Sequence, residues 1–295
     1  MWTGSIVTIV PMFVIIGFVV VIACVLLGYT LHEGQVILLW QPTEFLIIGG
    51  AALGGLLIAN PLSTTMAIVR GILGSLKGAT ITKESYLELL KLLYELFQLA
   101  KKDGLIALEP HVENPDSSPI FSKYPTILAN HHAVAFLCDT MKVLLNGGVP
   151  AHDLEELMDI DLEAAQHEML KPPTALATMA DSFPGLGIVA AVLGVVITMG
   201  KIDQPPEVIG HSVAAALVGT FLGVLLSYGF VGPLARNLEN AARAEHHILV
   251  CIKAAVLAFA RGVPSVVAIE YGRRAIEPHE RPSFQETEEA VKSVR

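Results

Sequence analysis

Charge is missing from four long stretches of this chain, and that limits what it can fold into. No lysine or arginine occurs before Arg70, and only Glu33 and Glu44 are charged in that segment. Farther on, residues 183–200 and 208–235 contain no Asp, Glu, Lys or Arg. A helix crossing a bilayer needs about 20 mostly apolar residues, and four runs qualify: 6–27, with Pro11 near its start, then 45–61, 183–200 and 208–235. The second is short and rich in glycine (Gly49, Gly50, Gly54, Gly55), a composition that lets neighbouring helices approach closely in lipid. Across all 295 residues, 53% are hydrophobic and 16% charged, against about a quarter charged in soluble domains. These figures argue against a soluble globular enzyme.

The runs pair two and two, which predicts segments 1–69 (transmembrane helices 1 and 2), 70–182 (a cytoplasmic helical domain), 183–236 (transmembrane helices 3 and 4) and 237–295 (cytoplasmic C-terminal helices and tail). Cytoplasmic segments retain Lys and Arg. With the middle segment and the tail inside, every one of the 19 basic residues except Lys201 is cytoplasmic, and both termini face the cytoplasm. The first residues have no positively charged region and no small-residue cleavage site, so no removable signal peptide is expected.

The polar segments read as helices. Between Lys83 and Lys102, Leu87, Leu90, Leu93, Leu96 and Phe97 recur at helical spacing, with Glu84, Glu88, Lys91 and Glu95 within reach of one another. Asp103-Gly104 supplies a stop. Further helices are predicted over 124–145, closed by Asn146-Gly147-Gly148; over 153–170, broken by Pro172-Pro173; and over 237–261, ending at Gly262-Val263-Pro264. From Glu277 onward the chain is charged and predicted to be loosely ordered. No alternation of period two is long enough to build a sheet. The expected fold class is an all-α polytopic inner-membrane protein with four transmembrane helices and a helical cytoplasmic domain whose two parts pack together.

Several functions fall away. A formal charge of −9 leaves no basic footprint for nucleic acid, whose binding rests on phosphate neutralisation. Cys24, Cys138 and Cys251 lie far apart, giving neither a disulfide framework nor a zinc site. The pairs His131-His132 and His246-His247 each point about 100° apart on a helix, so neither chelates a metal by itself, and no metal or cofactor is expected. No internal repeat suggests a solute transporter, and no nucleophile–base pattern or phosphate loop suggests catalysis.

No acidic or basic residue stands in the middle of any span, where ion pathways normally keep one. The spans instead hold small residues: Gly187, Ala190, Ala191 and Gly194 in the third, and Ala214, Ala215, Ala216, Gly219, Thr220 and Gly223 in the fourth, where Gly219 and Gly223 form a GxxxG. Such faces either pack the chain's own helices or enclose a helix from another protein that brings a carboxylate. Glu44 opens the second span on its outer side, where an acid is ordinarily hydrated, although it could help admit ions.

The runs DSFPGLGIVAAV (181–192), VGTFLG (218–223) and YGFVGPLA (228–235) resemble the third and fourth spans of the MotA family. So do QPTE (41–44), LE (108–109), ENP (113–115), YPTIL (124–128), EYGR (270–273) and ERPSF (280–284), in order along nearly the whole chain. The resemblance implies the larger stator subunit of the bacterial flagellar motor in the inner membrane. It implies a homo-oligomer, a pentamer, around two copies of MotB, whose membrane helix bears the ion-carrying Asp, and a cytoplasmic domain that pushes on the rotor switch protein FliG. Each charge crossing 100 mV supplies about 2.3 kcal/mol.

The same resemblance assigns residues. Pro184 and Pro233 match two family prolines that couple protonation to movement, where an ordinary reading would take each as helix punctuation. Thr220 matches a threonine facing the ion path. Ala191 stands where sodium-driven relatives carry a second threonine; alanine offers no oxygen to a hard cation, which favours protons over sodium. Glu109 matches an acid that meets the rotor, and Lys101, with Lys102 beside it, matches the paired basic position, where arginine is commoner and its planar fork is absent here. His111 is not an acid as in some relatives. The competing readings are a sodium-driven stator and the ExbB/TolQ channels that energise outer-membrane processes, which usually have three spans.

Overall fold

The computed structural model describes residues 10–77 and 81–294, and residues 6–9 of the first predicted span lie outside them. In chain order the α-helices begin with α1 (Val10–Leu31), α2 (Val36–Leu39), α3 (Pro42–Ala59) and α4 (Leu62–Lys77). Next come α5 (Lys83–Asp103), α6 (Glu109–Glu113), α7 (Pro125–Leu128) and α8 (His131–Asn146). The series ends with α9 (Ala151–Met199), α10 (Pro206–Leu225), α11 (Gly232–Ala260), α12 (Ser265–Ala275) and α13 (Phe284–Lys292). No strand occurs among the described residues. Among the described residues, four helical runs are long and apolar enough to cross a membrane: Phe13–Leu31, Val36–Ala59, Ala151–Met199 and Pro206–Ala260.

The chain divides into two compact units. The first comprises residues 1–80 and 170–240 and holds two of these runs, Phe13–Leu31 and Val36–Ala59, and the uncharged parts of the other two. On α3 the buried residues are Glu44, Ile48, Ala52 and Leu56, one every fourth position, so a single stripe of this helix faces its neighbours. Ile48 and Ala52 pack with Phe183, Ala190, Val218 and Leu222. Farther along, Leu56 joins Ile68 of α4, Ala175, Leu176, Ala235 and Leu238. The Phe18 and Phe230 rings meet at 5.3 Å, fixing α1 beside the segment that follows α10.

The second unit comprises residues 81–169 and 241–295. Its core is built on α5, where Leu89, Leu90, Leu93 and Phe97 are almost wholly buried against α8, α11 and α12 residues such as Leu137, Ile252, Val256 and Ile269. Phe97 and Phe259 stack with centroids 4.4 Å apart. Gly104, at φ +89° and ψ 162°, ends α5 in a conformation open to glycine. Two motifs singled out in the sequence are clamps: Arg273 makes a bidentate pair with Glu270 and donates to Pro282 O, while Arg281 donates to Ile276 O and Arg274 O.

Three sequence expectations need correction. Pro172-Pro173 does not end a helix: α9 runs through both of them and through Pro184. These two prolines free the carbonyls of Glu168 and Met169, residues that are exposed and half-buried, so water can take the lost bonds. The predicted helix over 124–145 is two helices, because Asn130 leaves the helix to cap α8, its side chain accepting from Ala133 N at 3.0 Å. The stretch after Glu277 contains α13, started by a reciprocal Ser283/Glu286 capping box and tied to α5 by Lys83 Nζ donating to Glu286 at 2.6 Å.

Candidate functional site

The third and fourth spans meet backbone to backbone. A methyl group on Gly187 would lie 2.8 Å from Gly219 O and 3.1 Å from Gly223 Cα. On Gly223 it would lie 2.5 Å from Phe183 O, and on Gly194 2.6 Å from Ala216 Cβ. Only glycine at these three positions allows this approach, so most of the small residues noted in the sequence pack the chain's own helices. Ala191 and Thr220 flank the seam and are half-buried. Membrane threonines usually bond their own helix, as Thr198 does to Gly194 O and Thr178 to Thr174 O. Among the described residues the Thr220 hydroxyl makes no such bond, leaving it open to another partner.

The two singled-out prolines lie in unbroken helical runs. Pro184 is half-buried inside α9. Pro233 is the second residue of α11, directly after a π-helical turn over Leu226–Val231. The turn closes with Gly232 N–H donating to Ser227 O, five residues back, which absorbs one extra residue just before a residue that has no N–H to give. A methyl on Gly229 would lie 3.2 Å from Val21 Cγ1, so α1 closes over this turn.

Lys101 and Lys102 occupy the last turn of α5 and Glu109 begins α6, placements that suit the helix dipoles. All three are exposed, and none has an ion-pair partner in the chain among the described residues. Between them a 3-10 turn over Leu105–Leu108 buries Leu108 and leaves Ile106 77% exposed. His111 shares a hydrogen bond with Ser118 Oγ at 2.8 Å, and partial burial lowers its pKa. One histidine of each pair meets a carboxylate: His132 lies 2.8 Å from Glu245, whose hydrogen bond raises the imidazole's pKa, and His247 lies 2.9 Å from Glu277.

Glu44 does not sit hydrated at an edge. It is 7% exposed, and its Oε2 is buried without a hydrogen-bond partner among the described residues. That oxygen lies against Gly219, where an added methyl would approach it to 2.7 Å. The same methyl would lie 3.1 Å from Ala190 Cβ and 3.2 Å from Ala191 N. The signal was present in the sequence, because Glu44 stands four, eight and twelve residues before Ile48, Ala52 and Leu56.

Residues 15–104 match the family described as Motility protein A N-terminal, and residues 129–250 match the MotA/TolQ/ExbB proton channel family. Motility protein A of Salmonella typhimurium is 38% identical over 284 residues, covering 96% of both chains, and that of Escherichia coli 37% identical over the same length and shares. The chemotaxis protein LafT of Vibrio parahaemolyticus is 36% identical over 273 residues, 92% of this chain and 96% of its own. In fold, the chain is similar to the structure of C. jejuni MotAB, with a TM-score of 0.75 at 19% identity over 92% of this chain and 98% of that one. It is also similar to the flagellar MotAB stator complex from Bacillus subtilis, with a TM-score of 0.65 at 23% identity over 90% and 94%. With four apolar helical runs, a glycine-packed pair among them and near full-length identity to these relatives, this chain belongs to the motility protein A family of the MotA/TolQ/ExbB proton channels.

Proposed function

We propose that the chain is the larger subunit of a proton-driven stator of the bacterial flagellar motor, converting ion flow into torque on the rotor. The observation that carries this reading is the identity to motility protein A over 96% of the chain. The match of residues 15–104 to the motility protein A N-terminal family and the four apolar runs favour it over an ExbB/TolQ-like channel. In this reading the chain spans the inner membrane with both termini in the cytoplasm, as a pentamer around MotB, which supplies an ion-carrying Asp.

The seam between α9 and α10 lies beside the ion path, with Thr220 offering its hydroxyl and Ala191 offering no oxygen for sodium. Pro184 and Pro233 are the points where a change of charge in the path bends the two helices. Lys101, Lys102 and Glu109 meet FliG, where exposed charges steer and orient a partner. Tethered-cell rotation tests this in a strain without its own stators, expressing the chain with its cognate MotB. Rotation is expected to persist in sodium-free buffer and to stop with a protonophore. Rotation only with added sodium would remove the proton assignment, and none in either buffer, despite assembly, would remove the stator reading.

A further inference from the structure

We infer that Glu44 is a proton-carrying group of this chain's own, placed at the level of Gly219 and Ala190. The inference rests on the stator reading above and adds a carboxyl to a path for which the spans otherwise provide none. Three observations converge on it. First, Glu44 is in the first turn of α3, yet its carboxylate packs against Gly219. Gly219 lies thirteen residues, about 20 Å of helix rise, beyond Pro206 at the start of α10. It is close to the middle of the uncharged stretch 208–235, so the acid reaches the depth of the spans' centres.

Second, no partner among the described residues neutralises the carboxylate. The facing stretches 183–199 of α9 and 208–225 of α10 carry no Asp, Glu, Lys or Arg, and α2 carries none. His211 is eight residues before Gly219 and exposed, and Arg70 and Lys77 stand in the second half of α4. An ionised carboxylate taken from water without a partner costs several kcal/mol, and acids in membrane helices persist chiefly where ions or protons pass. Third, the carboxylate's space is reserved by the absence of a side chain at Gly219, one residue before the open hydroxyl of Thr220. The step is a simple exchange: an O–H bond forms at a Glu44 carboxylate oxygen as one breaks in hydronium, and the reverse transfer releases the proton toward the next acceptor.

The test uses the full complex of this chain with its cognate MotB, in vesicles and in sodium-free buffer. Proton flux under an imposed gradient is measured for the wild type, Glu44→Gln and Glu44→Asp. Gln keeps the volume and hydrogen-bonding shape but cannot carry a proton, so flux should fall by roughly tenfold or more, and Asp should restore part of it. Infrared difference spectra between acid and alkaline buffer should show a carboxyl band that Gln removes and Asp shifts. Wild-type flux in Glu44→Gln, or an unchanged band, overturns the inference while leaving the stator reading standing. If the Gln variant does not assemble, the Asp variant decides: an unshifted carboxyl band overturns the inference. A wild-type complex that passes no protons overturns both.

Discussion

At Gly223 the space available is smaller than a methyl group. A Cβ there would press on Phe183 O at 2.5 Å and on Gly187 Cα at 2.9 Å, and both are backbone atoms that a rotamer change cannot move aside. Gly223→Ala should therefore force α9 and α10 apart and destabilise the first unit by about 1–3 kcal/mol. Gly50→Ala is the matched control, because a methyl on Gly50 meets nothing within 4 Å. Thermal unfolding of the two purified variants in detergent checks this: Gly223→Ala should unfold at lower temperature than the wild type and Gly50→Ala should not. Equal melting of the two variants would show that the seam has slack. Glu44 carries the complementary lesson at this scale. Its position in the i, i+4 row of Ile48, Ala52 and Leu56 is plain in the sequence, but its nearness to one end of an apolar run suggested a hydrated edge. The depth at which α3 begins depends on packing against α10, which is tertiary information.

Among the elements, α12 shows how a charged segment becomes a fixed part of the fold. The Arg273 guanidinium holds Glu270 in a bidentate pair, Arg274 adds a third bond, and together they bring the carboxyl down to about 2 from an ordinary 4.5. A carboxyl depressed in the folded state stabilises the fold fully above its unfolded value and loses that contribution as pH falls from 4.5 toward about 2. Allowing for the fifth of the Glu270 side chain that remains exposed, the effect is on the order of 2 kcal/mol. Glu270→Gln should lower stability at neutral pH by about that amount and flatten this part of the acid-unfolding curve; identical curves for variant and wild type would refute it. Strong periodicity made α5 legible in the sequence, and the stops at Gly104 and Gly262 followed from turn chemistry. Pro172-Pro173 misled because the residues whose carbonyls lose a donor, Glu168 and Met169, are not fully buried. The α13 helix was obscured by its charge, although Ser283-Phe284-Gln285-Glu286 spells a capping box. The π turn before Pro233 had no sequence signal beyond the proline itself.

For the whole molecule the telling contrast is between charges that the fold uses and charges that it leaves free. Glu95, Glu155, Glu245, Glu270 and Glu286 are all engaged with basic partners within the second unit. Lys101, Lys102 and Glu109, by contrast, stand exposed around the exposed Ile106. Isolated exposed charges add little to stability, and in the function proposed above these charges, with the apolar side chain between them, meet the rotor. Reversing one of them should leave the fold intact and act only on what docks there. Glu109→Lys gives up a favourable helix-dipole term of about 0.3–1 kcal/mol, too little to unfold a domain with the core described above. The variant is expected at wild-type levels in the membrane and to co-purify with MotB as before, while swimming speed and stall torque fall sharply. Lys101→Glu should behave the same way, and because steering is electrostatic, both losses should deepen or ease with ionic strength. Normal torque from Glu109→Lys would take this surface out of the rotor contact, and loss of the protein from the membrane would show that Glu109 serves the fold instead.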